Sequence, residues 1–206
     1  TLKSLGVTEE MFQSALPAIK VVLIAGPTAA GKGKIVETLL LKHSDLVDVT
    51  ISVTTREQRE NEKAGSYFFR SPEYFQALHE QGHLFEAAIV HGNWYGTLKS
   101  EMWRVYSQGK IASLEIDMNG VEQAQEKYGG KPAGVLILPP SHAEQMRRLL
   151  SRGRNKDRDT VMRLGISYDE VIQGLVLGLK PIINHTDGHE QAAQEVADHI
   201  RAKYNM

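Results

Sequence analysis

The sequence predicts an α/β protein, a parallel sheet flanked by helices, with an inserted β subdomain. Three observations predict it. Several short apolar runs are each followed by a helical pattern, which is how a parallel sheet buried between helices reads. The first two such runs are separated by a stretch that alternates apolar and hydroxyl residues. The chain has 206 residues, more than an average domain of roughly 150, so there is room for an insertion.

The first predicted strand is Lys20 to Ala25. It runs into the Gly-rich segment from Gly26 to Gly33 and then into a helix over Lys34 to His43, where Ile35, Val36, Leu39, Leu40 and Leu41 give an apolar face. Val47 to Thr55 alternates apolar and hydroxyl residues, Arg56 to Ser66 is polar, and Tyr67 to Phe69 is aromatic. Through about Leu98 this stretch reads as an inserted antiparallel β subdomain. Gly109 to Ile116, Ala133 to Leu138 and Lys180 to Asn184 are the remaining predicted strands, each bounded by Gly, Pro or Asn. Arg147 to Arg163 has no apolar residue from Ser151 to Thr160 and reads as a mobile, basic, solvent-facing element. In Glu190 to Tyr204, Ala192, Ala193, Val196 and Ile200 recur at helical spacing and predict a helix against the sheet.

Composition narrows the function classes. Hydrophobic residues at 41% and charged residues at 24% describe an ordinary globular chain and exclude collagen-like, disordered and coiled-coil classes. Lys and Arg number 24 against 25 Asp and Glu, a net charge of -1. No overall field draws the chain to nucleic acid or to an acidic membrane, so any anion recognition is local. The chain has no cysteine, which fits a reducing compartment and excludes thiol nucleophiles and Cys-ligated metal. No apolar run approaches the ~20 residues of a membrane span, and no signal peptide opens the chain. A soluble, cytoplasmic protein is expected, and because the first residue is Thr1 the chain is expected to be trimmed upstream.

Gly26-Pro-Thr-Ala-Ala-Gly31-Lys32 fits the first seven positions of a phosphate-binding loop. Glycines let the backbone N–H groups approach an anion, a lysine reaches the terminal phosphates, and the helix that follows points its positive end at the same place. The preceding strand and following helix supply the required context. The usual eighth residue, Ser or Thr, is Gly33 here, so a metal would be held mainly by phosphates and water.

From about Lys20 to Tyr204 the chain resembles the guanylate kinases. The blocks that carry the resemblance follow the phosphate loop in order: Ser52-Val-Thr-Thr-Arg56 with Arg59, Tyr67-Phe-Phe69, Glu86, His91-Gly-Asn-Trp-Tyr-Gly-Thr97, Leu114-Glu-Ile-Asp117, Pro139-Pro-Ser141, Arg152-Gly153, Arg163-Leu164 and Asn184. The resemblance implies a P-loop kinase core at 20–50, 99–140 and 169–206, a small mixed β subdomain for the nucleoside monophosphate at 51–98, a helical lid at 141–168 and an N-terminal extension at 1–19. It also implies a monomer or homodimer that binds ATP with Mg²⁺ and phosphorylates GMP and dGMP in purine nucleotide metabolism.

The implied roles suit the residue types. Arg56, Arg59, Tyr67 and Tyr95 would hold the GMP phosphate, since two guanidinium forks and two hydroxyls can surround a dianion. Ser52, Glu86 and Thr97, with Gly96, would read guanine. A carboxylate there accepts from the ring N–H and the exocyclic amine, a donor pattern that adenine lacks. Gly26, Ala29, Ala30, Gly31, Lys32, Gly33 and Lys34 would hold the ATP phosphates, and Asn184 would lie beside the adenine. Glu115 and Asp117 are two apart in a strand pattern and so share a face; the resemblance places Glu115 near the metal through water and Asp117 near GMP. Lys32, Arg56, Arg152 and Arg163 would be the catalytic cations, the last two closing over the transferring phosphoryl group.

The chain departs from the family at several points. Lys34 stands where Thr is usual, Gln58 replaces a proline, the segment from Arg59 to Tyr67 is one residue shorter, the lid is basic, and His185 replaces an Asp. Two alternatives stay open: a guanylate-kinase-like module that binds protein partners, and a kinase for another small phosphate such as a ribose bisphosphate.

Overall fold

The computed structural model describes all residues except 61, 64, 91 and 152–156, and describes 157–166 by backbone alone. In chain order its elements are Glu9–Ala15 (α1), Val21–Ala25 (β1), Lys32–Lys42 (α2), Val47–Val49 (β2), Ser52–Thr54 (β3), Phe68–Phe69 (β4), Pro72–Glu80 (α3), Leu84–Val90 (β5), Asn93–Leu98 (β6) and Lys99–Tyr106 (α4). They continue with Ile111–Glu115 (β7), Met118–Tyr128 (α5), Ala133–Leu138 (β8), His142–Ser151 (α6), Asp157–Val176 (α7), Lys180–Ile183 (β9) and His189–Tyr204 (α8).

β1 lies at the centre of a five-stranded sheet ordered β2-β7-β1-β8-β9, in which every pairing is parallel. Its five residues are all buried, and the period-2 alternation divides them between two cores. Val21, Leu23 and Ala25 join Phe12, Phe85, Met102 and Val121 on one face, while Val22 and Ile24 join Ile35, Leu39, Val196 and Ile200 on the other. Each such buried aliphatic contributes about 1.5–3 kcal/mol. The first nineteen residues are part of this packing: Leu2, Val7, Phe12, Leu16 and Ile19 are buried in the first of these cores. Thr8 caps α1 by accepting from the Met11 backbone N–H.

A second sheet, ordered β4-β3-β6-β5, is the inserted subdomain. Two sequence expectations need correction here. The alternating run Val47 to Thr55 does not stay in one sheet, because Val47–Val49 pairs with β7 as the edge strand of the core sheet and only Ser52–Thr54 enters the insert. The insert is also not wholly antiparallel, as its pattern alone reads, but the mixed sheet that the resemblance implies, since β4 runs parallel to β3. Its apolar face is covered by α3, with Val53, Phe75, Leu78 and Leu84 packed together. The polar segment from Arg147 begins as the end of α6 and resumes as α7; the basic run 152–156 lies outside the described residues. Among the described residues no helix is long and apolar enough to cross a membrane.

Candidate active site

The segment between β1 and α2 leaves the carboxyl end of the central strand, where α/β sheets bind ligands. Gly26 and Gly31 are needed there for different close approaches. A Cβ on Gly26 would lie 2.2 Å from the Ile137 carbonyl oxygen, and one on Gly31 would lie 2.3 Å from the Asn184 amide nitrogen, with φ at +144° and +92°. Lys32 is the first residue of α2, and its Nζ donates to the Gly26 carbonyl at 2.6 Å. The loop is fastened from outside by three side chains. Asn184 Nδ2 donates to the Ala30 carbonyl at 2.8 Å, Arg148 donates to the carbonyls of Ala30 and Asn184, and Gln145 Nε2 donates to the Thr28 carbonyl. Ala29 and Ala30 are buried. A Cβ on Gly33 would meet open space. The Lys34 ammonium turns to Glu37, which also pairs with Lys63 of the insert.

Opposite the loop stands one face of the inserted sheet. Register aligns Ser52 with Thr97 and Thr97 with Glu86, so three residues from three strands form a row; Thr54, Tyr95 and Ala88 form the next row. Ser52, Tyr67, Glu86, Tyr95, Gly96, Glu115 and Asp117 line a cleft together with Gly26, Thr28 and Lys32 of the loop. Arg56 and Arg59 are not among the residues lining it. Arg56 lies behind the two tyrosines, donating from Nε to the Tyr95 hydroxyl at 3.1 Å and packing over the Tyr67 ring. Arg59 is exposed. Asp117 is not in the strand with Glu115. β7 ends at Glu115, and Asp117 is the N-cap of α5, accepting from the Gly120 backbone N–H at 2.9 Å.

The cleft perturbs its acids. Glu86 is 4% exposed, and burial pushes its carboxyl up to about 7, aided by the Asp117 charge and opposed by donors on Thr97 and by Lys127. Burial likewise raises Tyr67 to about 12, so its hydroxyl, protonated at neutral pH in any case, is harder to ionise than a free tyrosine's. Asp117 is raised by burial against the backbone N–H bond it accepts. Among the described residues no three His, Asp or Glu side chains are grouped to hold a metal ion on their own.

A sequence model described as guanylate kinase matches residues 18–202. The chain belongs to the guanylate kinase family. It is 39% identical over 150 residues to a guanylate kinase of Rhizobium meliloti (strain 1021), covering 72% of this chain and 68% of that protein. It is 36% identical over 153 residues to a guanylate kinase of Thermosynechococcus vestitus, covering 74% of this chain and 79% of that one. The crystal structure of guanylate kinase from Anaplasma phagocytophilum shares the fold, with a TM-score of 0.65 at 24% identity over 89% of this chain and 85% of that chain.

In this guanylate kinase fold the structure brings together the expected loop residues and the sheet residues Ser52, Glu86, Tyr95 and Thr97. Arg152 lies outside the described residues, and of Arg163 only the backbone position in α7 is described. Four residues near the site escaped the sequence reading: Gln145, Arg148, Glu62 and Glu170. Glu170 lines the cleft, where burial raises its carboxyl against the pull of Lys32. Its only signal was helical spacing from Ser167, which is buried on the inward side of α7.

Proposed function

We propose that the protein transfers the γ-phosphoryl group of ATP to GMP, and to dGMP through the same base and phosphate contacts, yielding ADP and the diphosphate. The observation that carries this reading is that Ser52 and Glu86, aligned in one row through the buried Thr97, face Lys32 across one cleft. A hydroxyl of the row donates to the guanine carbonyl, and Glu86, ionised by the guanine N–H donors it meets, accepts from the ring N–H and the exocyclic amine. Adenine would leave these buried groups unpaired.

On the other side Lys32 exchanges its loop carbonyls for the terminal phosphates of ATP, and the loop N–H groups and the start of α2 hold the rest. An oxygen of the GMP phosphate attacks the γ-phosphorus in line, the bond to the β–γ bridging oxygen breaks, and no covalent enzyme intermediate forms. Positioning and charge neutralisation supply the rate. Glu115, an exposed carboxylate at the rim, suits Mg²⁺ held chiefly by nucleotide phosphates and water, and the ion would offset charge on those phosphates. Residues 51–98 carry the acceptor and 141–168 form the lid, bringing Arg152 and Arg163 over the transferring group. We place the reaction in cytoplasmic purine nucleotide metabolism.

A coupled assay with ATP and a panel of nucleoside monophosphates tests the reading. Turnover with GMP and dGMP, and little with AMP, CMP or UMP, is expected; intact folding with no turnover of any of them would return the protein to the partner-binding module.

A further inference from the structure

Arg56, the cation expected on the acceptor phosphate, is held by an anion of the chain itself. Its Nη2 donates to Glu62 Oε1 at 2.6 Å and its Nη1 to Glu62 Oε2 at 3.1 Å, a two-pronged pairing. Nη1 also donates to the Glu57 carbonyl at 2.7 Å, and Nε to the Tyr95 hydroxyl. These bonds use all but one of the five N–H donors of a guanidinium. Glu62 in turn accepts from the Arg59 backbone N–H at 3.2 Å. Only 13% of the Arg56 side chain and 12% of the Glu62 side chain are exposed.

Two carboxylate oxygens on an arginine fork make the same pattern as two phosphate oxygens. We propose that Glu62 is a built-in stand-in for the acceptor's phosphate: it neutralises Arg56 behind Tyr67 and Tyr95 in the free protein and is displaced when a phosphomonoester dianion enters the cleft. This rests on the acceptor site proposed above. A neutral nucleoside brings no anion and cannot drive the exchange. A dianion brings a second charge and a third oxygen, for which Tyr67 and Tyr95 stand ready on the cleft wall. The displaced carboxylate has water close by, since residues 57–60 on its loop are exposed. Holding Arg56 in a paired state multiplies the apparent affinity for the phosphate by the small fraction of protein in which Arg56 is free, so the device confines tight binding to acceptors that carry a full phosphate.

Calorimetric titration of the whole chain with GMP, guanosine and inorganic phosphate tests this in Glu62→Gln and Glu62→Ala. The glutamine variant preserves size should the alanine variant fail to fold. GMP and inorganic phosphate are each expected to bind about tenfold tighter in the variants, the size of one lost charge-assisted bond, with guanosine unchanged. In an Arg56→Ala background the gain is expected to vanish. GMP affinity that is unchanged or weaker in a folded Glu62 variant, or a gain that survives Arg56→Ala, would overturn the proposal. If the wild-type chain binds no GMP, the acceptor reading fails by itself, and the same criteria applied to inorganic phosphate decide the role of Glu62.

Discussion

The two walls of the cleft are prepared differently. The loop after β1 is held in shape by the buried Asn184 and by Arg148 and Gln145, all bonded to its carbonyls, and by the Ala30 N–H on the Pro27 carbonyl. The wall formed by the inserted sheet has the Ser52–Thr97–Glu86 row in register, yet Arg56 beside it is paired with Glu62. The loop backbone is shaped before a ligand arrives, with Lys32 resting on the Gly26 carbonyl, whereas on the proposed acceptor wall Arg56 would have to give up an internal ion pair. Preorganisation suits the donor side, where charge develops during transfer. Exchange suits the acceptor side, where selection between a nucleoside and its phosphate matters.

The largest expected effect breaks the donor wall. Lys32→Ala removes the cation at the loop's mouth, and kcat is expected to fall by about 10³-fold or more, with GMP affinity measured by titration staying within a few-fold of wild type. On the acceptor wall, Glu86→Ala is expected to reduce the GMP to AMP ratio of kcat/KM by about 10²-fold.

Glu86 also gives a stability signature. Its carboxyl in the folded protein lies at about 7, against 4.5. Between those values the native state keeps a proton that the unfolded chain has lost, so stability falls as pH rises through this window. Glu86→Gln is expected to remove that slope and to raise the unfolding midpoint above pH 7, as thermal melts from pH 4 to 8 would show.

Smaller effects sharpen the contrast at the loop. Arg148→Ala takes the Arg148 donor from the Asn184 carbonyl and leaves the Ala30 carbonyl with the Asn184 amide alone, and is expected to cost about 1–3 kcal/mol of stability, with KM for ATP raised more than KM for GMP. Gly33→Ser puts a hydroxyl into open space at the start of α2 and is expected to raise kcat/KM for ATP by about two- to threefold, the smallest change of the series.

What the sequence revealed follows the locality of each feature. The strand, loop and helix around Lys32 are contiguous, so pattern alone found them to within two residues. Ser52, Glu86 and Thr97 are spread over three strands, and only sheet register makes them neighbours; resemblance to a family could name them, but periodicity could not. Val47–Val49 and Ser52–Thr54 carry the same alternation, and nothing local says that they join different sheets. Arg148 and Glu62 read as ordinary solvated charges, because what distinguishes them is a partner: a loop carbonyl 118 residues away for Arg148 and the Arg56 fork for Glu62. Asp117 was misplaced on a strand because a cap and a strand end share extended backbone angles.

We propose that the inserted sheet selects guanosine monophosphate whether or not ATP occupies the loop across the cleft. The most direct test is an equilibrium titration of the wild-type protein with GMP and with AMP, with no ATP present. The account predicts that GMP binds at least about 100-fold tighter than AMP. Equal affinity for the two would contradict it.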